Sequence, residues 1–119
     1  MFNLLFLTSL AFASDVYEIC VLKQQVWSDY TQSWKTESVS TFYTYPTIQF
    51  IVHDDSIEIN RVKANIVSKK EIGGFECMRE HENSLICHDK ENGKFLWEFQ
   101  YKNGKTTRDI LTICGKNGK

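Results

Sequence analysis

The stretch NGKFLWEFQYKNG, residues 92–104, decides the fold. Bulky apolar side chains alternate with other residues along it, and an Asn-Gly pair stands at each end. A period of two is typical of a β-strand, and Asn-Gly accepts the positive φ angles that a tight hairpin turn needs. We therefore predict a strand over residues 94–101 with a hairpin on either side. The residues Phe95, Trp97, Phe99 and Tyr101 share one face of this strand, which we expect to point to the interior.

Similar segments recur along the rest of the chain. They are rich in β-branched and aromatic residues and are separated by turn signals at intervals of about 8–12 residues. No stretch keeps the 3.6-residue apolar period of a helix over three turns. The sequence thus predicts an all-β fold, a small antiparallel meander of about eight or nine strands that forms a barrel or a sandwich and is stapled by disulfides. The predicted strands are 17–27, 34–45, 47–53, 56–60, 63–68, 74–80, 84–89, 94–101 and 107–114.

The two Asn-Gly pairs also predict the register of the sheet. If Asn92-Gly93 is a two-residue loop, Trp97 lies opposite His88. If Asn103-Gly104 is another, Trp97 also lies opposite Ile110.

The N-terminus has the pattern of a secretory signal peptide. Residues 1–13 contain no charge, are mostly apolar, and end in Ala-Phe-Ala, a small-x-small cleavage pattern. The apolar run is shorter than the roughly 20 residues that a membrane-spanning helix needs. We expect cleavage after Ala13 or Ser14, a single β domain over residues 14–119, no membrane span, and a secreted or periplasmic location. The alternative is a buried N-terminal strand or a retained anchor.

Four cysteines in a small exported domain indicate disulfides. A short loop after Glu80 places Cys77 opposite Cys87 in one hairpin, and directly opposed residues are close enough for a bond. Cys20, in the first predicted strand, is then left to pair with Cys114, in the last. That second bond requires the first and last strands to be neighbours, as in a closed barrel.

A zinc site is the alternative for part of this set, because His81 and His88 lie near Cys77 and Cys87 and thiolates and imidazoles are zinc ligands. Neighbouring residues of a strand point to opposite faces, so one hairpin does not bring all four side chains to one point. We expect disulfide chemistry, no metal and no cofactor.

Catalytic signatures are not found in the sequence. There is no G-x-S-x-G elbow and no phosphate-binding glycine loop. The three histidines leave open a Ser/His/acid triad assembled from distant residues. The prediction is therefore that the protein is not an enzyme, with a small hydrolase as the third functional hypothesis.

The charge is nearly balanced, with 14 basic and 15 acidic residues and a formal net charge of −1. An isoelectric point near 6.3 gives no electrostatic reason to expect nucleic-acid binding.

Aromatic residues outside the predicted strand 94–101 suggest a contact surface. Tyr30 lies in a polar segment between two tryptophans, and Trp34 and Tyr43 follow it. Tyr and Trp supply many of the residues that dominate protein interfaces. The leading hypothesis is an exported, non-enzymatic protein that binds another protein, for example as an inhibitor of an envelope or extracellular enzyme, through Tyr30, Trp34 and Tyr43. The alternative is a carrier whose barrel cavity, lined by Phe95, Trp97 and Phe99, holds a small apolar ligand.

The pattern Tyr17-x-x-Cys20, together with Cys114 near the end, resembles the architecture of bacterial periplasmic lysozyme inhibitors and, more loosely, of lipocalins. The resemblance implies a barrel closed by a cystine between its first and last strands. It carries over no functional residue, because the chain has neither an inhibitory-loop motif nor the lipocalin G-x-W signature. A shared fold does not by itself imply a shared function.

Overall fold

The computed structural model describes residues 14–41 and 48–116, which form ten antiparallel strands. The prediction of an all-β antiparallel fold is confirmed. The strands are β1 (Asp15–Ser28), β2 (Ser33–Thr41), β3 (Ile48–Val52), β4 (Ser56–Ile59), β5 (Val62–Asn65), β6 (Ser68–Ile72), β7 (Phe75–His81), β8 (Ser84–Asp89), β9 (Lys94–Gln100) and β10 (Thr106–Lys116).

The strands form one curled sheet in the order β5-β4-β3-β1-β10-β9-β8-β7-β6, a half-barrel whose edges are β5 and β6. β1 is the longest strand and lies at the centre. β10 pairs with one side of it, while β3 and β2 pair with successive halves of the other side. The first and last strands are therefore neighbours, as the sequence predicts, although the sheet remains open between β5 and β6.

The core lies on the concave face of this sheet. Phe50 of β3 and Phe95 of β9 are almost fully buried, and their ring centroids are 4.5 Å apart. Trp97 packs against the same cluster, so the prediction that the aromatic face of β9 points inward is confirmed for these two residues. The prediction is wrong for Tyr101, which lies just beyond the end of β9 and is 47% exposed. The other buried members of the core are Tyr17, Ile19, Ile57, Met78, Ile86 and Leu111.

The break between the predicted strands 56–60 and 63–68 is a tight turn. Asn60 and Arg61, with φ angles of 49° and 73°, connect β4 to β5, because Ile59 pairs directly with Val62. Arginine rarely adopts positive φ, so its place in this turn is unusual. The predicted strand over residues 63–68 is in fact the end of β5 and the start of β6, which gives ten strands and not nine.

The predicted register around Asn92-Gly93 is wrong by two residues. His88 pairs with Phe95, and Trp97 pairs with Ile86. The loop is longer than expected because the Asp89 carboxylate accepts hydrogen bonds from the backbone N–H (3.1 Å) and the side-chain amide (2.9 Å) of Asn92. A shift of two residues keeps every side chain on its face.

The predicted register around Asn103-Gly104 is wrong by one residue, so Trp97 lies opposite Asp109 and Ile110 lies opposite Leu96. The connection is closed by backbone bonds between Tyr101 and Lys105 (2.8 Å) and between Gly104 and Tyr101 (3.0 Å). An odd shift moves β10 residues to the opposite face of the sheet.

The predicted Cys77–Cys87 disulfide is confirmed, and the two residues pair directly across β7 and β8. Cys20 and Cys114 are free thiols in the structure. They lie on the neighbouring strands β1 and β10, each at an irregularity of the ladder that leaves it out of register. The Cys20–Cys114 bond therefore stays a prediction.

The part of the chain that the structure describes contains no helix with the length and apolar character needed to cross a lipid bilayer. The end of the predicted strand over residues 34–45 lies outside the described residues, and β2 is described up to Thr41.

Candidate functional site

The first candidate surface is the hairpin tip, residues 29–32, which joins β1 to β2. Tyr30 stands at this tip with 97% of its surface exposed, the largest value among the exposed large apolar residues of the two described ranges. The adjoining strand β2 is exposed along most of its length. An aromatic side chain that contacts so little of its own protein is free to bury its surface in another molecule.

Hydrogen bonds within the loop hold the hairpin tip in shape. The Trp27 indole N–H donates to the Asp29 carboxylate at 2.9 Å, and the Gln32 side-chain amide donates to the Asp29 carbonyl at 2.7 Å. The Thr31 N–H donates to the Ser28 hydroxyl at 3.2 Å. The backbone that carries Tyr30 is thus ordered before any partner arrives, which lowers the entropy cost of binding.

The stem of the hairpin is fixed to the sheet by an aromatic and cationic cluster. Trp27 and Trp34 face each other across β1 and β2, edge to face, with ring centroids 5.4 Å apart. The Arg108 guanidinium of β10 lies 4.2 Å from the centre of the Trp34 ring. It also donates two hydrogen bonds, of 3.0 and 2.7 Å, to the Gln25 side-chain oxygen. The cluster assigns different roles to two of the predicted contact residues: Trp34 supports the stem and Tyr30 is presented. The third, Tyr43, lies outside the described residues.

The second candidate surface is a cavity of about 750 Å³ on the concave face, called here the basic cavity. Tyr17 and Phe95 form its floor, with centroids 5.0 Å apart, and His88 is stacked on Phe95 at 4.4 Å. Val52, Met78 and Ile113 extend the apolar wall. The charged lining residues are Lys69, Lys70, Lys90, Lys116, Asp15 and Glu76.

Two of the four lysines of the basic cavity are paired. Lys90 lies 3.2 Å from the Glu76 carboxylate, and Lys116 lies 3.5 Å from the Asp15 carboxylate. Within the described residues, no ion pair is formed by Lys69 or Lys70 of the edge strand β6. The cavity therefore combines an apolar floor with an excess of positive charge.

Burial shifts the titration of two floor residues. It lowers the pKa of His88 below its ordinary value, and the positive charge of Lys90 adds to this effect. Burial, with the negative charges of Asp15 and Glu76, raises the pKa of Tyr17. At neutral pH both rings are uncharged, so the positive charge of the cavity comes from its lysines.

The three aromatic residues of the predicted ligand cavity line two different spaces. Phe95 belongs to the floor of the basic cavity, while Trp97 and Phe99 line a separate cleft of about 430 Å³. Trp97 donates a hydrogen bond from its indole N–H to the buried Ser84 hydroxyl at 2.9 Å. The floor of this second cleft includes Asp109, whose pKa is raised by burial.

A serine, a histidine and a carboxylate come together at the start of β1. The Ser14 hydroxyl is 2.7 Å from His53 Nδ1, and the Glu58 carboxylate is 2.7 Å from His53 Nε2. The contact distances match those of a Ser/His/acid triad, with the two ring nitrogens in the opposite roles. None of the three lines the basic cavity or the cleft beside Trp97.

No group of three or more potential metal ligands is found in residues 14–41 and 48–116. Because Cys77 and Cys87 are bonded to each other, the sequence cluster around them supplies no thiolates for zinc.

Comparison of the chain with protein-family models, with curated proteins and with solved structures found no match.

The basic cavity was missed at the level of the sequence because its lining comes from distant positions. Lys69 and Lys70 belong to the edge strand, Lys90 to a loop, and Lys116 to the end of the last strand. Only the curvature of the sheet and the order of its strands bring them to one rim. The hairpin tip, by contrast, is local, and the tryptophans on either side of its polar loop are visible in the sequence.

Proposed function

We propose that this chain is an exported, non-enzymatic protein that binds another protein by inserting Tyr30 into a cleft of its partner, as an inhibitor of an envelope or extracellular enzyme would. The observation that carries the proposal is the 97% exposure of Tyr30 on a loop that its own hydrogen bonds already order. The Cys77–Cys87 disulfide is consistent with an extracellular or periplasmic location.

The geometry of the hairpin tip defines the kind of partner. A single ring at the end of a two-stranded projection fits a concave pocket better than a flat surface. Such a pocket needs an apolar wall for the ring and a hydrogen-bond partner for the phenol hydroxyl. An enzyme cleft has this shape and chemistry.

The proposal is tested by placing a photo-crosslinking amino acid at position 30 of the mature protein and exposing it to extracellular or envelope proteins. The crosslinked partner is identified, purified, and titrated with Tyr30→Ala and Tyr101→Ala. Tyr101 is the matched control because it is an exposed tyrosine at the same end of the sheet, carried by the separate β9–β10 connection.

Tyr30→Ala is expected to cost about 2 kcal/mol of binding free energy, roughly a 30-fold loss of affinity, with an unchanged melting temperature. Tyr101→Ala is expected to bind like the wild type. Equal affinities of the two variants, or a partner that crosslinks equally from position 101, would rule the proposal out.

Hydrolysis is a second candidate, favoured by the contacts among Ser14, His53 and Glu58. In this mechanism, which requires cleavage after Ala13 so that Ser14 is retained, His53 takes the proton of the Ser14 hydroxyl as its oxygen attacks the acyl carbon, and Glu58 orients the imidazole. The ester C–O bond then breaks, p-nitrophenolate leaves, and water hydrolyses the acetyl-serine to acetate and the free hydroxyl. The test is turnover of p-nitrophenyl acetate by the wild type, by His53→Ala and by the control His81→Ala. A rate lost only in His53→Ala supports this activity, whereas equal rates in all three proteins refute it.

A further inference from the structure

We propose that the basic cavity binds an amphipathic carboxylate, a molecule with one anionic headgroup and an unbranched or ring-containing apolar body. The site lies on the concave face, away from the hairpin tip on which the proposed protein recognition depends.

The size and the floor of the cavity determine the body of the ligand. A volume of about 750 Å³ is within the range of about 300–1,000 Å³ that small-molecule sites occupy. Val52, Met78 and Ile113 offer aliphatic wall surface above the aromatic floor. Binding of an apolar chain removes this surface from water, and the gain rises with the apolar area buried.

The rim determines the charge of the headgroup. Four lysines stand against two carboxylates, and the carboxylates are already engaged by Lys90 and Lys116. Neither Lys69 nor Lys70 forms an ion pair with any residue that the structure describes. Lys69 pairs with the cavity residue Met78 and shares its face of the sheet, so it is left to attract an anion at the open side of the cavity. A cationic or neutral headgroup would find no such partner there.

The interior of the cavity favours a single charge on the ligand. His88 and Tyr17 are uncharged at neutral pH because burial disfavours their ionised forms. A second anionic group would have to enter this apolar space or leave the lysine rim. We therefore place the carboxylate at β6 and the apolar body over Tyr17 and Phe95.

The experiment is a calorimetric titration of the mature protein with three probes of equal chain length: dodecanoate, dodecanol and dodecyltrimethylammonium. Dodecanoate is expected to bind with a one-to-one ratio. Dodecanol is expected to bind about tenfold more weakly, and the cation weaker still. Added salt is expected to weaken dodecanoate binding and to leave dodecanol binding nearly unchanged.

The double variant Lys69→Ala/Lys70→Ala is compared with Lys63→Ala/Lys102→Ala, which removes the same charge from exposed positions outside the cavity. The first is expected to weaken dodecanoate binding about tenfold and to leave dodecanol binding unchanged, and the second to change neither. Both pairs lie on the surface, so the folded state of each is verified by its melting temperature.

Three results would overturn the assignment: no binding of dodecanoate up to about 1 mM, equal binding of dodecanol, or equal losses in the two lysine variants. Tyr30→Ala is carried through the same titrations and is expected to bind dodecanoate like the wild type. Failure of the cavity proposal and failure of the protein-binding proposal therefore give different patterns.

Discussion

The free thiols of Cys20 and Cys114 provide the sharpest test of the scaffold. They lie on the central strand pair β1 and β10, and the Cys114 thiol interacts with the Cys20 side chain. A bond between them would close a loop of about 95 residues. In the chain-entropy model, a crosslink that closes a loop of that length lowers the entropy of the unfolded chain and so raises its free energy by about 4.7 kcal/mol at 25 °C. The Cys77–Cys87 bond closes a loop of 10 positions, for which the same model gives a smaller value of about 2.7 kcal/mol.

The perturbation is Cys20→Ser/Cys114→Ser, with Cys77→Ser/Cys87→Ser as the matched control. Under oxidising conditions we expect no free thiol in the wild type. The first variant should then lose about 4.7 kcal/mol of unfolding free energy in a guanidinium titration, and the control about 2.7 kcal/mol. Two titratable thiols in the oxidised wild type, or a linked Cys20–Cys77 peptide, would refute the reasoning.

The rate of oxidation gives an independent check on the same pair. Desolvation, together with the hydrogen bond and charge of Cys20, raises the pKa of the Cys114 thiol to about 11. Because the thiolate is the reactive form, the bond should form slowly near neutral pH without a catalyst and faster as the pH approaches that value. A rate that does not change with pH would contradict this environment.

Three further predictions concern the core and its polar contacts. Phe50→Ala should lower the free energy of unfolding by about 3–5 kcal/mol. The control Val62→Ala, at a residue that is 73% exposed, should change it by less than about 0.5 kcal/mol. Similar losses for the two variants in denaturant titrations would place Phe50 outside the core. Asp89→Ala should lower the melting temperature at pH 7, because hydrogen bonds from Asn92 lower the pKa of this carboxyl below its ordinary value. The difference from the wild type should shrink as the pH falls through that lowered pKa, where the carboxylate is protonated. The pKa of His88 is lower in the folded protein than in the unfolded chain, so the unfolded chain binds the proton more tightly. The free energy of unfolding should therefore be constant above about pH 6.5 and fall below it. His88→Phe should reduce this fall, and an unchanged profile in the variant would argue against burial of the imidazole.

The sequence predicts local pairings well where a short loop fixes the count. Counting back from the loop after Glu80 gives the Cys77–Cys87 pair that the structure shows. Around Asn92-Gly93 the Asp89 side chain selects a longer loop, and propensity alone does not reveal that choice. The error is an even number of residues, so the inward placement of Phe95 and Trp97 survives it.

An error in the predicted register moves side chains to the other face of the sheet when it is an odd number of residues. The connection through Asn103-Gly104 is one residue off the predicted register, and this places Asp109 and not Ile110 opposite Trp97. This connection is set by the backbone hydrogen bond from the Tyr101 N–H to the Lys105 carbonyl. That bond depends on the conformation of the loop, which a dipeptide motif does not specify.

The hairpin tip and the basic cavity also differ in how well the sequence predicts them. Tyr30 could be singled out because its flanking tryptophans and polar loop are contiguous in the chain. The lysines of the basic cavity could not, because they share a rim only through the curvature of the sheet and its strand order. The grouping of these lysines depends on contacts between strands that are far apart in the sequence.

The proposed binding of an extracellular partner and the predicted Cys20–Cys114 bond both depend on the predicted export to an oxidising compartment. The most direct measurement is the intact mass and N-terminal sequence of the protein isolated from its native source, before and after thiol alkylation. We predict a chain that begins at Ser14 or Asp15 and takes up no alkylating reagent until it is reduced. A chain that retains residues 1–13 and is alkylated at all four cysteines without reduction would contradict this prediction.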